Sequence, residues 1–458
     1  MVGHFQFKQL GSSYLLTNDF GCHCFLTPQQ FHSLLRDKQP GDADKQQELT
    51  EKGFLYEGGR EAYIQQHMSR LRGMRSYLFQ GTSLHIFVVT THCNGSCIYC
   101  QAQSHLTGKR MMMDAKTARK AVDIALQSPA SELSFEFQGG EPLMNMDIIR
   151  EIVTYTESLH PQKHITFNIV SNLTLLDADK LDFIREHQIS LSTSLDGPRE
   201  IHDRNRPFLS GEGMFDAVSR QIRWLHEQSV PVGAIETTTR YTLAQPEALA
   251  DAYCEMGLHS LFIRPLTPLG KAAEQWETIG YTPAEFTEFY RRCILAILEK
   301  NRFGYAMYEG HARLFLRKIL TQYADNYMDL RSPCGAAVGQ MAYYPDGNIY
   351  TCDEGRMLAE MGDPTFRLGN VYTDDYAALI GNPVSRAACL ASVTESQPLC
   401  GDCVYQPYCG VCPVVSHALQ HDLTSHSFYR CNIYQGMLDT LFTLLEDTSN
   451  LELFQEWL

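Results

Sequence analysis

Three cysteines near position 100 are the residues whose type and spacing best suit metal chemistry. Cys93, Cys97 and Cys100 lie within eight residues, directly after an apolar segment. Thiolates grouped this closely in a loop are typical ligands of iron–sulfur clusters, and three of them leave one iron of a four-iron cluster open. The alternatives are a zinc site, which prefers paired cysteines and a fourth ligand, or cysteines that only fill the core. The spacing favours the cluster.

A second set of cysteines lies between residues 334 and 431, which hold eight of the 15 cysteines in the chain. This stretch has little apolar periodicity, so we expect a loop-rich segment that folds around metal. The N-terminus lacks a signal peptide pattern, and no apolar run is long enough to span a membrane. We therefore expect a soluble, cytoplasmic protein, in which reduced cysteines usually bind metal instead of forming disulfides.

Composition and charge limit the class of protein. The chain has 458 residues, of which 44% are hydrophobic and 20% charged, as expected for two or three globular domains. Lys and Arg number 38 against 53 Asp and Glu, which gives a net charge of −15. A surface of this sign repels phosphate backbones, so general nucleic-acid binding is excluded.

Short apolar segments alternate with helical patterns over the middle of the chain. The predicted strands cover residues 85–90, 133–137, 164–170, 189–195, 232–235 and 260–264. Six βα units predict a parallel sheet, either open and doubly wound or curved into a partial (β/α)6 TIM barrel. Before them we expect a hairpin around residues 17–21, helices from 28 and over 44–52, and a closing strand at 54–56. This order indicates a small winged-helix-like module.

Polar residues follow several of the predicted strands. Gly139, Gly140 and Glu141 come after the second strand, Asn172 after the third, and Ser194 and Asp196 close the fourth. In a barrel these positions share the C-terminal face with the three cysteines, where barrel enzymes place their sites. The alternative is that Ser194, Asp196 and the later Arg206 are strand-end caps or surface charges.

With Cys93-x3-Cys97-x2-Cys100 and Gly139-Gly140-Glu141-Pro142, residues 84 to 310 resemble the radical SAM superfamily. The resemblance implies a [4Fe-4S] cluster whose open iron binds S-adenosylmethionine, and a 5′-deoxyadenosyl radical that abstracts hydrogen from a substrate. It implies that Tyr99 packs on adenine and that Glu141 receives the methionine ammonium. The implied S-adenosylmethionine contacts are Tyr99, Gly139, Gly140, Glu141, Asn172, Ser194, Asp196 and Arg206.

The cysteines near the C-terminus resemble the SPASM extension, which carries two auxiliary [4Fe-4S] clusters. The resemblance implies one cluster on Cys400, Cys403, Cys409 and Cys431, and three ligands of another on Cys334, Cys352 and Cys412. Cys389 is our candidate for the missing ligand; alternatively that iron is open and Cys389 is only buried. Asp353 matches an acid that removes a substrate proton in sulfatase-maturing relatives, or it is a turn residue.

The N-terminal module resembles the leader-recognition element of peptide maturases, which captures a precursor as an added β-strand. Residues 15–18, 93–102, 135–142 and 264–270 look like the B-type radical SAM maturase of the His-Xaa-Ser peptide system. That resemblance implies radical crosslinking of a ribosomally made precursor peptide, with the auxiliary clusters accepting an electron. In that system a second radical SAM protein, a small accessory protein and a precursor with His-Xaa-Ser repeats accompany the enzyme. We also expect an external one-electron donor.

Two other functions remain open at this point. One is oxidation of Ser or Cys to formylglycine, as in anaerobic sulfatase maturases, against which the additional N-terminal module argues. The other is a non-catalytic iron–sulfur electron carrier or a zinc-binding interaction protein. The expected domains are a peptide-recognition module at 1–80, the partial barrel at 81–315, the auxiliary-cluster domain at 316–440 and a C-terminal helix or tail at 441–458.

Overall fold

The computed structural model describes residues 1–102, 110–321, 328, 330–425 and 427–458. Its N-terminal part is a three-stranded antiparallel sheet covered by helices, and the predicted hairpin is present. Thr27 caps the first helix as expected, because its side chain accepts from the Gln30 N–H and the Gln30 side chain accepts from the Thr27 N–H. The elements are β1 (Gln6–Leu10), β2 (Ser13–Thr17), β3 (His23–Leu26), α1 (Pro28–Asp37), α2 (Ala43–Glu51) and α3 (Arg60–Met74).

The closing strand expected at residues 54–56 is not formed, so that prediction is wrong. The backbone N–H groups of Phe54 and Leu55 both donate to the Leu49 carbonyl at the end of α2, and they are therefore not available to a sheet. A single bridge between Val2 and Leu55 takes the place of the strand. The chain then continues into α3.

All six strands predicted for the middle of the chain are present, and neighbours in sequence pair in parallel. They are β4 (Leu84–Thr90), β5 (Glu132–Gly139), β6 (His164–Val170), β7 (Ser190–Ser194), β8 (Val232–Thr237) and β9 (Ser260–Arg264). The intervening helices are α4 (Ala115–Ala125), α5 (Met146–Ser158), α6 (Ala178–Glu186), α7 (Arg199–Asn205), α8 (Phe215–Glu227) and α9 (Pro246–Glu255). After β9 come α10 (Lys271–Glu274), α11 (Trp276–Ile279) and α12 (Pro283–Arg302).

Alternate strand residues face opposite sides of the sheet. Phe137 of β5 and Ile169 of β6 are buried in one hydrophobic cluster with Ile149 and Val153 of α5. Glu136 and Gln138 alternate with the buried phenylalanines of β5, so they face the opposite side of the sheet. That side of β5 therefore carries polar groups, while the phenylalanines belong to the core.

The sheet continues beyond the six strands on both sides. β10 (Tyr308–Glu309) pairs in parallel with β9 and leads into α13 (Gly310–Leu320), and β11 (Gln340–Tyr343) pairs in parallel with β4. β12 (Asn348–Tyr350) and β13 (Arg367–Asn370) add antiparallel strands. The result is one open, mostly parallel sheet of ten strands, which confirms the predicted α/β class.

The cysteine-rich segment contains more helix than expected. A turn at residues 345–347 joins β11 to β12, and several short helices follow. They are α14 (Asp353–Glu360), α15 (Tyr376–Gly381), α16 (Pro383–Leu390) and α17 (Pro413–Gln420), before α18 (Phe428–Leu445) and α19 (Thr448–Glu456). Short helices of this kind show too few turns for apolar periodicity to reveal them. No helix in the described part of the chain is long and apolar enough to cross a membrane.

The N-terminal sheet packs against the cysteine-rich segment. The Thr17 hydroxyl donates to the Val404 carbonyl at 2.7 Å, and the Lys8 ammonium donates to the Asp439 carboxylate of α18 at 2.6 Å. The Tyr408 hydroxyl donates to the Gly21 carbonyl at 3.2 Å. These contacts lie beside the cysteines of residues 400–431, so the first module is attached to that region.

Candidate active site

The loop after β4 carries the first three cysteines and is anchored by later parts of the chain. The Ser96 N–H donates to the Pro207 carbonyl at 2.8 Å and the Lys271 N–H donates to the Cys100 carbonyl at 3.2 Å. Burial raises the pKa of the Cys93 thiol to about 12, and the charges of Cys97 and Cys100 add to the increase. The three sulfurs therefore lie near enough to affect one another, as the spacing predicts.

The two glycines after β5 pack against the backbone that enters this loop. A Cβ on Gly139 would lie 2.0 Å from the Thr90 carbonyl oxygen, and one on Gly140 would lie 2.2 Å from the His92 carbonyl oxygen. The Gly140 N–H donates to Thr90 and the Glu141 N–H donates to His92, at 2.9 and 2.7 Å. The absence of a Cβ at these two glycines thus allows the turn after β5 to approach the cysteine loop closely.

Glu141 connects the ends of β5 and β6. Its carboxylate is 1% exposed and accepts hydrogen bonds from the Leu143 N–H, the Ser171 hydroxyl and the Asn172 N–H, at 3.0, 2.7 and 2.8 Å. The Asn172 amide in turn donates to the Asn94 side chain in the cysteine loop at 2.8 Å. Both residues therefore organise the loop, and their binding to S-adenosylmethionine stays a prediction.

Asp196 is a fully buried centre of hydrogen bonding next to the cysteines. It accepts from the Tyr99 hydroxyl at 2.6 Å, the Arg206 guanidinium at 3.1 Å, the Asn205 amide at 3.1 Å and the Thr237 N–H at 3.2 Å. Four donors satisfy a buried carboxylate and balance its charge. Three predicted residues, Tyr99, Asp196 and Arg206, thus form one connected group. Asn205 also belongs to it and was not predicted, because no sequence motif marks it.

Arg206 connects this group to the cysteines. Its guanidinium carbon lies 5.3 Å from the centre of the Tyr99 ring, and its Nη1 lies 4.0 Å from the Cys97 sulfur. Ser194, also predicted, is the last residue of β7 and lies opposite Ile235 of β8. The predicted contacts of these residues with adenine, ribose and carboxylate stay predictions.

Asp353 begins α14 and is held by a buried arginine. Its Oδ1 accepts from the Arg356 Nε at 2.8 Å, and the Arg356 Nη1 donates to the Glu360 carboxylate at 3.0 Å. Burial and the charge of Asp353 raise the pKa of Glu136 on β5, while the positive charge of Arg356 acts on Cys100. Asp353 therefore lies near Glu136 of β5, and its partner Arg356 lies near enough to Cys100 to act on its thiol. Glu136 was not predicted, because one strand glutamate gives no sign of its neighbours.

Cys400, Cys403, Cys409 and Cys431 form a second group of thiols. Burial raises the pKa of Cys409 to about 12, and the charges of the other three all contribute. Three of the four lie in the turns between α16 and α17, and Cys431 lies in the first turn of α18. The structure therefore brings together the four residues that the resemblance assigns to one cluster.

Cys334, Cys352 and Cys412 form a third group. Burial raises the pKa of Cys352 well above its ordinary value, and the charges of Cys412 and Cys334 add to this increase. All three side chains are buried. Cys389 on α16 is affected by Arg331, whose guanidinium also interacts with Cys334. Cys389 thus lies on the Cys334 side of this group, and its role as a fourth ligand stays a prediction.

The donors of the three groups are cysteines. Iron–sulfur clusters are held by Cys thiolates, so the donor type of these groups fits such clusters; structural zinc sites also use sets of four cysteines. Across the residues that the structure describes, no group of three His, Cys, Asp or Glu side chains is arranged to hold a single metal ion.

Comparison with known proteins identifies the domain that holds the first cysteine group. Residues 87–252 match the model of the radical SAM superfamily. The cysteine-type anaerobic sulfatase-maturating enzyme of Clostridium novyi is 22% identical over 344 residues, which cover 71% of this chain and 86% of that enzyme. The serine-type enzyme of Klebsiella aerogenes is 24% identical over 346 residues, covering 74% and 81%. An uncharacterized protein of Methanocaldococcus jannaschii is 31% identical over 186 residues, and the chain covers 63% of its length.

Solved structures share the fold. Native anSMEcpe with bound AdoMet has a TM-score of 0.69 at 21% identity, over 81% of this chain and 99% of that one. Streptococcus suis SuiB bound to the precursor peptide SuiA has a TM-score of 0.56 at 14% identity, over 93% and 98%. The family match places its domain around the Cys93, Cys97 and Cys100 loop and the Gly139-Gly140-Glu141 turn. The chain is therefore an enzyme, and its residues 87–252 match a superfamily that uses S-adenosylmethionine and a [4Fe-4S] cluster.

Proposed function

We propose that the enzyme modifies a ribosomally made precursor peptide by radical hydrogen abstraction and forms a crosslink in it, with two auxiliary [4Fe-4S] clusters. The observation that carries this proposal is the pair of separate thiol groups outside the radical SAM domain, around Cys352 and around Cys409. The N-terminal module attached beside them supports a peptide substrate. The likeness to SuiB, which was solved with its precursor peptide, also supports it.

Cys93, Cys97 and Cys100 would hold the radical cluster. When bound, this cluster and S-adenosylmethionine would supply a 5′-deoxyadenosyl radical. Tyr99, Asp196 and Arg206 would fix the position of the nucleoside and carboxylate, because their mutual hydrogen bonds leave them little freedom. Glu141 and Asn172 would keep the cysteine loop in place.

Crosslinking removes two hydrogen atoms from the peptide. One leaves as the atom that the radical abstracts, and the other leaves as a proton and an electron. Asp353 would accept the proton, since it lies near Glu136 of the sheet and Arg356 fixes its orientation through a 2.8 Å hydrogen bond. The auxiliary clusters would accept the electron, which accounts for two cysteine groups away from the radical site.

The N-terminal sheet would hold the leader of the precursor. Its outer strands, β1 and β3, each have a neighbour on one side in the described sheet, and an extended peptide can add to such an edge through main-chain hydrogen bonds. The module touches the chain at Val404, next to Cys403. A bound leader would therefore lie beside the auxiliary cluster region.

Mass spectrometry of coexpressed precursor tests the proposal. We expect the peptide to lose two hydrogen atoms per crosslink, and tandem fragmentation to show no cleavage between the joined residues. The Cys97→Ala protein is the matched control and should leave the mass unchanged. Loss of two hydrogen atoms with ordinary linear fragmentation contradicts crosslinking. Because a partner protein can be required, the candidate partners are coexpressed in a parallel arm.

Formylglycine formation is the second candidate function. The two sulfatase-maturating relatives, which align over more than 70% of this chain, favour it. The test is anaerobic incubation with Cys- and Ser-containing sulfatase peptides, followed by hydrazine labelling of aldehydes. An aldehyde product from these peptides, without modification of any precursor, would replace the crosslinking proposal.

Iron analysis tests the three clusters directly. Anaerobic reconstitution should give about twelve iron atoms per chain if three four-iron clusters form. Zinc at two to four atoms per chain, without iron, would contradict all three. Failure of the reduced protein to cleave S-adenosylmethionine would independently contradict the assignment of the Cys93, Cys97 and Cys100 site.

A further inference from the structure

Lys271 is a buried cation beside the cysteine loop that has no role in the proposed function. It is 8% exposed and begins α10, directly after Gly270, whose φ is +58°. Lysine side chains are rarely buried to this degree unless a partner balances the charge. Its position therefore needs an explanation.

Two contacts join Lys271 to the loop that carries the cysteines. Its backbone N–H donates to the Cys100 carbonyl, and its Nζ donates to the Ser96 hydroxyl, each at 3.2 Å. Ser96 lies between the first two cysteines of the loop, and Cys100 is the third. Lys271 therefore contacts both parts of the loop, and its ammonium lies close enough to Cys97 and Cys100 for its charge to lower their pKa values.

Lys271 differs from Arg206, another cation near these sulfurs, in how its charge is paired. Arg206 is paired with the buried Asp196 carboxylate. Among the described residues, the hydrogen-bond partner of the Lys271 ammonium is the neutral Ser96 hydroxyl. A buried charge without an opposite charge is costly, so an anion bound near the loop would stabilise this arrangement.

A cluster on this loop would supply that anion. A [4Fe-4S] core of charge +2 with three thiolates has one net negative charge, and reduction by one electron gives two. The reduction potential of such clusters depends on net charge, hydrogen bonding and solvent exposure. A fixed ammonium nearby favours the reduced form, because its attraction grows with the negative charge.

We propose that Lys271 is the counter-charge of the cluster at Cys93, Cys97 and Cys100, and that it raises the reduction potential of that cluster. This inference rests on the proposed cluster site. The step concerned is the transfer of one electron from an external one-electron donor to the cluster, without a bond being formed or broken. Lys271 acts through the cluster and is a positioning residue.

The test is a redox titration followed by electron paramagnetic resonance. The reconstituted full-length enzyme is titrated with dithionite, and the radical cluster is recognised as the signal that changes when S-adenosylmethionine is added. Lys271→Met, which removes the charge at similar length, should shift the reduction equilibrium at least tenfold towards the oxidised form, about 59 mV for one electron. Lys271→Arg keeps the charge, so its reduction equilibrium should remain within about threefold of that of the wild type. A threefold change corresponds to about 0.65 kcal/mol, since a tenfold change is about 1.4 kcal/mol.

Two further variants separate the charge from other effects. Ser96→Ala removes the hydrogen bond but keeps the ammonium, so it should shift the equilibrium less than Lys271→Met does. Lys120→Met removes an exposed lysine of α4 and should leave the potential unchanged. Iron content and thermal unfolding are measured for every variant, so that a folding defect is seen separately.

Every outcome decides the proposal. An unchanged midpoint in Lys271→Met protein with full iron overturns it. If Lys271→Met binds no iron at this site but Lys271→Arg does, the charge is needed for the cluster and the proposal is supported; equal loss in both variants overturns it. A wild-type protein that binds iron but has no signal sensitive to S-adenosylmethionine contradicts the proposed cluster site itself, and the Lys271 proposal fails with it.

Discussion

The Tyr99 hydroxyl donates a 2.6 Å hydrogen bond to the Asp196 carboxylate, which joins the cysteine loop to the end of β7. Tyr99 lies between Cys97 and Cys100, and Asp196 is completely buried. The bond therefore crosses the site and connects residues far apart in sequence. Arg206 completes the group by pairing with the same carboxylate.

Substituting Asp196 should destabilise the protein more than substituting Tyr99. Tyr99→Phe leaves Asp196 with three donors, and we expect a loss of about 1.5–3 kcal/mol in the free energy of unfolding. Asp196→Ala leaves the Arg206 charge buried without its partner and should cost about 3–5 kcal/mol. Urea unfolding of the apoprotein measures both. An Asp196→Ala loss no larger than that of Tyr99→Phe contradicts this account of the group.

Gly140→Ala should displace the cysteine loop. The added Cβ would lie 2.2 Å from the His92 carbonyl oxygen and 3.0 Å from the Cys93 Cβ, so the backbone next to Cys93 has to move. We expect reduced iron binding and loss of S-adenosylmethionine cleavage. Gly233→Ala on β8 is the matched control, because nothing lies within 4 Å of the added atom. Full iron binding by the Gly140→Ala protein would be inconsistent with this packing.

His85 should make stability depend on pH. It is fully buried on β4, and burial lowers its pKa from 6.5 to about 3. Its Nε2 lies 3.2 Å from the Thr82 carbonyl oxygen and its Nδ1 lies 2.9 Å from the Tyr343 hydroxyl, so the neutral ring donates from Nε2 and accepts from Tyr343. The folded state binds a proton less readily than the unfolded state. Stability is therefore fully present above pH 6.5 and is lost as the pH falls towards 3.

The free energy of unfolding should decrease by about 1.4 kcal/mol for each pH unit below 6.5, until the pKa of His85 in the folded state is approached. Unfolding by urea between pH 7.5 and 5 measures the slope. Because other groups titrate in this range, the informative quantity is the difference between wild type and His85→Gln, whose slope should be smaller. Identical slopes for the two proteins would show that His85 contributes nothing to the pH dependence.

The group around Cys409 should account for one third of the iron. Cys403→Ala is expected to lower the iron of the reconstituted protein from about twelve to about eight atoms per chain, since one four-iron cluster loses a ligand. Cys293→Ala is the control, because that thiol is buried on α12 away from the three groups. Cys389→Ala tests whether Cys389 is a fourth ligand. If it is, this variant should lose as much iron as Cys352→Ala; if it is only a buried thiol, its iron content should stay unchanged. Unchanged iron in Cys403→Ala protein would remove this group from the cluster assignment.

The sequence predicted the strands better than the contacts of the site. The six strands are apolar, regularly spaced and separated by helices, so local patterns were sufficient to locate them. The strand expected at residues 54–56 failed because the end of α2 uses its backbone donors. The first cysteine group followed from its spacing, whereas the two later groups followed from the resemblance to the SPASM extension. The position of Lys271 and the proximity of Glu136 to Asp353 depend on how distant segments pack. Local sequence patterns do not predict such packing.

The pairing of β11 with β4 also has a consequence for synthesis of the chain. Leu84 of β4 pairs with Gln340 of β11, so β4 is synthesised long before the strand with which it pairs. Until then one edge of β4 is unpaired, and its buried, apolar sequence is a template for association with other chains. Chains that end before β11 should therefore aggregate, even though they contain the whole radical SAM match at residues 87–252.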